Sequence, residues 1–184
     1  MNLSDSKKKH TISLLVLIIL GFVVFSNTFR NPFMWDDEEL IVENKYIQSP
    51  GSIPFLFSLQ YWKYYAPEEK GWYRPVRVIT LAIDHFFWKL NPFGYHLTNL
   101  LLHIVNIIII YFFVLKLKTF TKRKNEPRAS SFRQHFLEPA FLTAALFAVH
   151  PIHTESVTWI KNRSDLLASI FFLLSLSFFL LDDA

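Results

Sequence analysis

Residues 11–29, TISLLVLIILGFVVFSNTF, carry no charged side chain, over a length close to the ~20 apolar residues that take a helix across the hydrocarbon of a bilayer. This stretch constrains the fold more than any other feature, because a segment in lipid must satisfy its own backbone groups, as a helix does. Residues 97–115, LTNLLLHIVNIIIIYFFVL, repeat the pattern. Residues 166–181 are shorter and also uninterrupted, and residues 136–152 form a weaker fourth run with Glu138 near one end and prolines at both. The chain is 52% hydrophobic with 20 Phe and only 4 Gly. That content would equally fill a soluble core, so the distribution decides for the membrane. Lys7, Lys8 and Lys9 before the first run resemble the basic start of a signal peptide, but the run exceeds the usual ~7–15 residues and no A-x-A-like site follows, which favours a retained anchor. The expected fold is an all-α integral membrane protein of about four transmembrane helices, at 11–29, 97–115, 136–152 and 166–181.

Charge sets the expected topology. Lys116, Lys118, Lys122, Arg123, Lys124, Arg128 and Arg133 crowd between the second and third runs against the single acid Glu126. Lys and Arg collect in cytoplasmic segments, so residues 1–10 and 116–135 are expected in the cytoplasm, residues 30–96 form a long external loop and residues 153–165 a short one. The long loop has seven basic and eight acidic residues and lacks the cytoplasmic signature. Beside a membrane the basic cluster is a topology signal or a patch for anionic lipid, not a nucleic-acid site. The chain has no cysteine, so disulfides play no part.

Within the long loop, residues 75–90, PVRVITLAIDHFFWKL, read as a helix with proline first, where a missing N–H costs least. Arg77, Thr80 and Asp84 fall at i, i+3 and i+7, a polar stripe on an apolar cylinder. That pattern places the helix in or against the membrane interface rather than across it. Aromatic residues between 46 and 73 are expected along the outer leaflet, where Tyr and Trp concentrate. In the second run, His96, Asn99, His103 and Asn106 are spaced 3, 4, 3 and share one helix face. Such a face looks into a bundle or a wet cavity, as a functional surface or as interhelical hydrogen-bond glue.

Three external clusters are expected to meet at one membrane face: Asp36 and Asp37 within the acidic run ending at Glu39, Arg74 and Arg77, and His150, His153 and Glu155 within HPIHTESVTWIKNRSDLL. Carboxylates can deprotonate a hydroxyl or hold a divalent cation. Arginine binds phosphate bidentately, and His and Glu can add metal ligands. Together they suit group transfer from a phosphate-bearing lipid to an acceptor outside the membrane. Each also has a plainer reading: a solvated acidic face, a structural histidine pair, and an arginine that snorkels to headgroups.

FMWDDEELIVENKYI, YRPVRVITLAIDHFFWKLNPFGYHLTNLLLHIVN and ALFAVHPIHTESVTWIKNRSDLLASIFFLLSL resemble, in order and spacing, the N-terminal membrane part of the transmembrane-and-tetratricopeptide-repeat (TMTC-like) proteins, from about residue 11 to 181. The resemblance implies a GT-C glycosyltransferase. Its donor would be a polyprenyl-phosphate sugar such as dolichyl-phosphate mannose, its acceptor a protein hydroxyl, and a divalent cation (Mn or Mg) would be a candidate cofactor. It places the base or acceptor-site carboxylate at Asp36 or Asp37 and motif positions at Arg74, His150, His153 and Glu155. It implies a bacterial inner membrane or, in a eukaryote, the endoplasmic reticulum, with the N-terminus cytoplasmic. Family members continue through further spans and a tetratricopeptide array, whereas this sequence stops at LLDDA. The corresponding expectation is a truncated GT-C-like fragment, or one half of a split enzyme whose missing helices come from a separate chain. The alternative expectation is a non-catalytic membrane interaction or assembly protein that keeps the scaffold only. A transporter would need discontinuous helices at midplane, which the sequence lacks.

Overall fold

The computed structural model describes residues 3–66, 73–121, 136 and 138–182. Every regular element among them is helical. They are α1 (Leu3–Phe25, continued by a 3-10 turn Ser26–Arg30), α2 (Lys45–Gln48), α3 (Ile53–Leu56), α4 (Pro75–Trp88), α5 (Pro92–Thr121), α6 (Pro139–Val149), α7 (Thr154–Thr158) and α8 (Arg163–Asp182), with short 3-10 and π turns between them. Lys7–Arg30, Pro92–Leu117 and Ile160–Phe179 are long and apolar enough to cross a membrane. The chain is therefore an all-α membrane protein. The fourth apolar run forms α6, of 11 residues. At 1.5 Å per residue it is roughly 16 Å long, well short of a ~30 Å hydrocarbon core. Pro139 begins it and Pro151 follows it, and proline bounds a helix at both ends.

α5 is the central post, packed against α1, α4, α6 and α8. Hydrogen bonds fix the directions of its neighbours. His10 Nδ1 lies 2.7 Å from the Tyr111 hydroxyl and Thr28 Oγ1 lies 3.1 Å from His96 Nδ1, so α1 runs antiparallel to α5. Arg163 bonds Asn99 near the start of α5 and Lys116 near its end donates to the Ser177 carbonyl, so α8 runs parallel. The end of α1 and the starts of α5 and α8 therefore meet at one end of the bundle. Small residues let the helices close up, as in membrane bundles generally. Ala140, Ala144 and Ala148 form a stripe one residue in four along α6, each at most 1% exposed. A Cβ on Gly21 of α1 would lie 2.8 Å from the Ile107 side chain of α5. Leu17, Ile107, Ile110 and Phe141 fill the space between them.

Above this end sits a second core. Leu40, Ile41, Ile47, Leu56, Tyr61, Trp62, Val78, Leu81, Tyr95 and Ile160 pack together. The aromatic segment, expected along the outer leaflet, folds upon itself, because tilted and edge-to-face rings bury area against one another. Tyr46 contacts Phe55, Tyr61 and Tyr65 at centroid distances of 5.3, 5.7 and 5.4 Å. Only part of the segment, including Leu59 and Tyr64, faces outward; Trp72 lies outside the described residues, as do Lys122 to Arg133 of the basic cluster.

α4 begins at Pro75. Its polar stripe turns inward, with Arg77 and Asp84 buried, while Val76, Ile83, Phe86 and Phe87 are exposed. A tight turn then joins α4 to α5. Lys89 takes φ 53 there, and a Cβ on Gly94 would fall 2.0 Å from Trp88 Cγ. The indole lies directly on the glycine backbone, and the Tyr95 hydroxyl donates to the Lys89 carbonyl at 2.8 Å. This turn delivers His96 and Asn99 to the same end of the bundle as Asp37.

Candidate active site

Met34 to Asp37 form a turn, with the Asp37 N–H donating to the Met34 carbonyl at 3.0 Å. The Asp37 side chain is buried, and its two oxygens accept from the Met34 N–H at 3.2 Å and the Lys161 N–H at 2.9 Å. Burial pushes its carboxyl up from the ordinary 3.8 to about 6, against the pull of the two N–H groups. Asp36 keeps 28% of its side-chain surface and is bridged by the Lys161 ammonium. Trp35 lies outside, edge-on to Trp159 at 5.2 Å. Glu38 and Glu39 are exposed.

Lys161 thus meets both carboxylates, and two residues on Arg163 anchors the scaffold. Arg163 is fully buried and pairs with Asp84 at 2.6 Å. It also donates to Asn99 Oδ1 at 2.7 Å, Thr80 Oγ1 at 3.2 Å and the Tyr95 carbonyl at 3.0 Å. Thr98 donates to the second Asp84 oxygen at 2.7 Å. Burial raises the Asp84 carboxyl above its ordinary value and Arg163 opposes the rise. One guanidinium so ties α4, α5 and α8 in a single knot, its charge and hydrogen bonds both answered, as burial of a charge requires.

His96, Asn99, His103 and Asn106, the polar stripe of α5, are all buried. His96 lies 3.1 Å from the Asn31 carbonyl, Asn99 donates to the Val157 and Trp159 carbonyls, His103 lies 3.3 Å from the Ala148 carbonyl, and Asn106 donates to the Leu166 carbonyl at 3.0 Å. Each links α5 to a different stretch of neighbouring backbone.

Arg74 and Arg77 line a groove of ≈ 390 Å³ with Tyr73, Val76, Ser164, Asp165, Leu167, Ala168 and Phe171. Arg77 is only 2% exposed; Arg74 is half-buried at the helix start. The lining combines two arginines, a serine and an aspartate with apolar side chains that include Val76, Leu167, Ala168 and Phe171.

The HPIHTESVTWIKNRSDLL segment touches both other clusters, but through its second half. Lys161 meets the carboxylate turn, and Ser164 and Asp165 meet the arginine groove. His150, His153 and Glu155 are occupied otherwise. His150 accepts from the Ile152 N–H at 3.2 Å, the His153 ring lies 4.1 Å from Phe147, and Glu155 accepts from Asn162 at 2.8 Å. Among the described residues no three His, Asp or Glu side chains gather to hold a metal, and Asp36 already faces an ammonium. These donors do not fit a divalent cation as arranged. Asp84, Lys161 and Arg163 are the residues of this arrangement that sequence reading did not single out as site residues. Their signal was present: Asp84 lies in the polar stripe of α4, and an arginine heading an apolar run needs a buried partner.

An all-α membrane protein whose bundle end carries a carboxylate turn beside an arginine-lined amphipathic groove is the class that this geometry defines. Sequence comparison places it further. The chain is 33% identical over 171 residues to human protein O-mannosyl-transferase TMTC4, covering 88% of this chain and 22% of the relative. It is 35% identical over 162 residues to human protein O-mannosyl-transferase TMTC3 (86% and 16%) and 31% identical over 178 residues to Drosophila melanogaster protein O-mannosyl-transferase Tmtc3 (92% and 19%). The chain is TMTC-like over nearly all its length, as its three motifs indicate, and it spans about one fifth of the length of the curated relatives it matches. No family model and no solved structure matches it.

Proposed function

We propose that this chain forms the acceptor and donor-phosphate end of a protein O-mannosyl-transferase that uses a polyprenyl-phosphate mannose. The observation that carries the reading is the joint between the Asp36–Asp37 turn and the arginine groove, made by residues 161–165. In the reaction, a serine or threonine hydroxyl of the acceptor attacks the anomeric carbon. The bond from that carbon to the phosphate oxygen breaks, polyprenyl phosphate leaves with the bonding pair, and the hydroxyl proton passes to a carboxylate. A single attack from the side opposite the phosphate inverts the sugar centre. Asp36, the more open carboxylate, is the one an acceptor reaches. Asp37, sealed and held by two N–H groups, sets the turn. Arg74 faces the donor phosphate, since guanidinium answers phosphate bidentately, and Arg77 backs the groove wall. The apolar side chains of the groove suit the first isoprenoid units. The site lies on the external side with the N-terminus in the cytoplasm, by the distribution of Lys and Arg.

Membranes containing the full chain, incubated with labelled polyprenyl-phosphate mannose and a Ser/Thr-rich peptide, test the reading. Transfer is expected from wild type and lost in Asp36→Asn at unchanged expression. Absence of transfer across donor and acceptor sets refutes it. Orientation has its own test: a cysteine at Ser52 should label from the external side, and labelling only from the cytoplasm reverses the topology. The sealed Asp37 favours a second reading, in which the turn is structural and the protein assembles with other membrane components without turnover; equal transfer by wild type and Asp36→Asn would support it.

A further inference from the structure

Trp35 is the odd residue of the carboxylate turn. It occupies the first central position of the turn closed by Asp37 N–H and Met34 O, at φ 50. A positive φ there is a glycine's place, and a bulky side chain in it is strained. Burial of the ring does not offset the strain, because Trp35 is 74% exposed. Strain that packing does not compensate, at a candidate site, is grounds for a functional hypothesis.

The surroundings identify what the indole meets. Trp159 stands edge-on behind it at 5.2 Å, and Lys161 Nζ lies 5.7 Å from the Trp159 ring. The next residue is Asp36, bridged to that same lysine. An open indole followed in sequence by a carboxylate, with that carboxylate's ammonium partner over the neighbouring Trp159 ring, matches a hexopyranose, which presents C–H bonds on one face and hydroxyls around its edge. Asp36, Glu38 and Glu39 crowd this turn with negative charge, which anionic headgroups repel.

We propose that Trp35, backed by Trp159, is a stacking platform for a pyranose ring, whose hydroxyls hydrogen-bond to Asp36 and Lys161. That the sugar is mannose rests on the transferase reading; the platform itself does not. The strained backbone supplies the discriminating variant. Trp35→Gly removes the ring and relieves the turn, whereas Trp35→Phe keeps an aromatic face.

The full chain in phosphatidylcholine nanodiscs is titrated with methyl α-mannopyranoside and followed by saturation-transfer NMR and by thermal melting. Wild type and Trp35→Phe are expected to bind saturably, while Trp35→Gly binds roughly tenfold more weakly and melts no lower than wild type. Competition by polyprenyl-phosphate mannose, without competition by polyprenyl phosphate, assigns the ring to the donor; competition by neither assigns the platform to free glycosides. Mannoside binding without any sugar transfer would sink the transferase reading and leave the platform standing. The platform is overturned if wild type shows no saturable binding, if Trp35→Gly binds as wild type, or if Trp35→Gly melts lower. It is also overturned if brominated phosphatidylcholine quenches an indole signal that Trp35→Phe removes, which would put the ring in lipid.

Discussion

Two ion pairs hang from one short loop and behave as opposites. Arg163 and Asp84 are 0% and 7% exposed, Lys161 and Asp36 19% and 28%. The inner pair has hydrogen bonds from α4 and α5 around it and is closed to solvent. The outer pair stands at the mouth of the turn, where solvent screens it and a substrate group can exchange for one partner. The same chemistry, a carboxylate with a cation, is scaffold when sealed and exchangeable when open. Two residues of loop separate these roles, so the knot at Arg163 fixes where the Lys161 N–H meets Asp37.

The largest effect should come from breaking the sealed pair. Arg163→Met leaves Asp84 buried without its partner, which costs on the order of 3–5 kcal/mol in such pairs. The melting temperature in detergent should collapse, and the double variant Arg163→Met/Asp84→Leu should recover much of it. A single variant that melts like wild type would mean that the pair is not the scaffold. Gly94→Ala comes next. Its Cβ would overlap Trp88, and overpacking of this kind destabilises by about 1–3 kcal/mol. A partial rescue by Trp88→Leu would locate the clash in the α4–α5 turn.

The scaffold was legible where one residue class dominates a long window. The runs at 11–29, 97–115 and 166–181 became α1, α5 and α8, because uncharged apolar length has few solutions. Pro75 marked the start of α4 for an equally local reason. The run at 136–152 misled on length, since Pro139 and Pro151 cut the helix to α6 whatever the hydropathy on either side. The site was legible as an inventory and not as a geometry. Asp36, Asp37 and Arg74 stood out by type, but Lys161 and Arg163 reach Asp36 and Asp84 across separations of more than 75 residues. Nothing in local pattern encodes such a pairing. The aromatic segment teaches the same: Tyr46, Phe55 and Tyr61 look interfacial one by one, and their common packing shows only in the fold.

Titration offers a gentler probe of the sealed side of the turn. Folding raises the Asp37 carboxyl from 3.8 to about 6, so between these values the native state holds more protons than the unfolded chain. Stability should therefore fall as pH rises through that window and level off above it. Asp37→Asn should flatten the slope, measured as melting temperature from pH 4 to 7. A wild-type curve that rises across the window would show that Asp37 is not carrying this proton.

The smallest effect on stability, and the sharpest test of the contrast, belongs to Asp36→Asn. A partly exposed pair contributes about 0–1 kcal/mol, so the melting temperature should barely move. If the open pair is where substrate exchanges, transfer should nevertheless fall severely. Because the fold stays intact, that loss cannot be charged to misfolding. Lys161→Met should likewise leave melting almost unchanged, since its backbone N–H still holds Asp37 while the ammonium is gone. Should either substitution unfold the protein as Arg163→Met does, the outer pair would be scaffold too, and the division between the two pairs would fall.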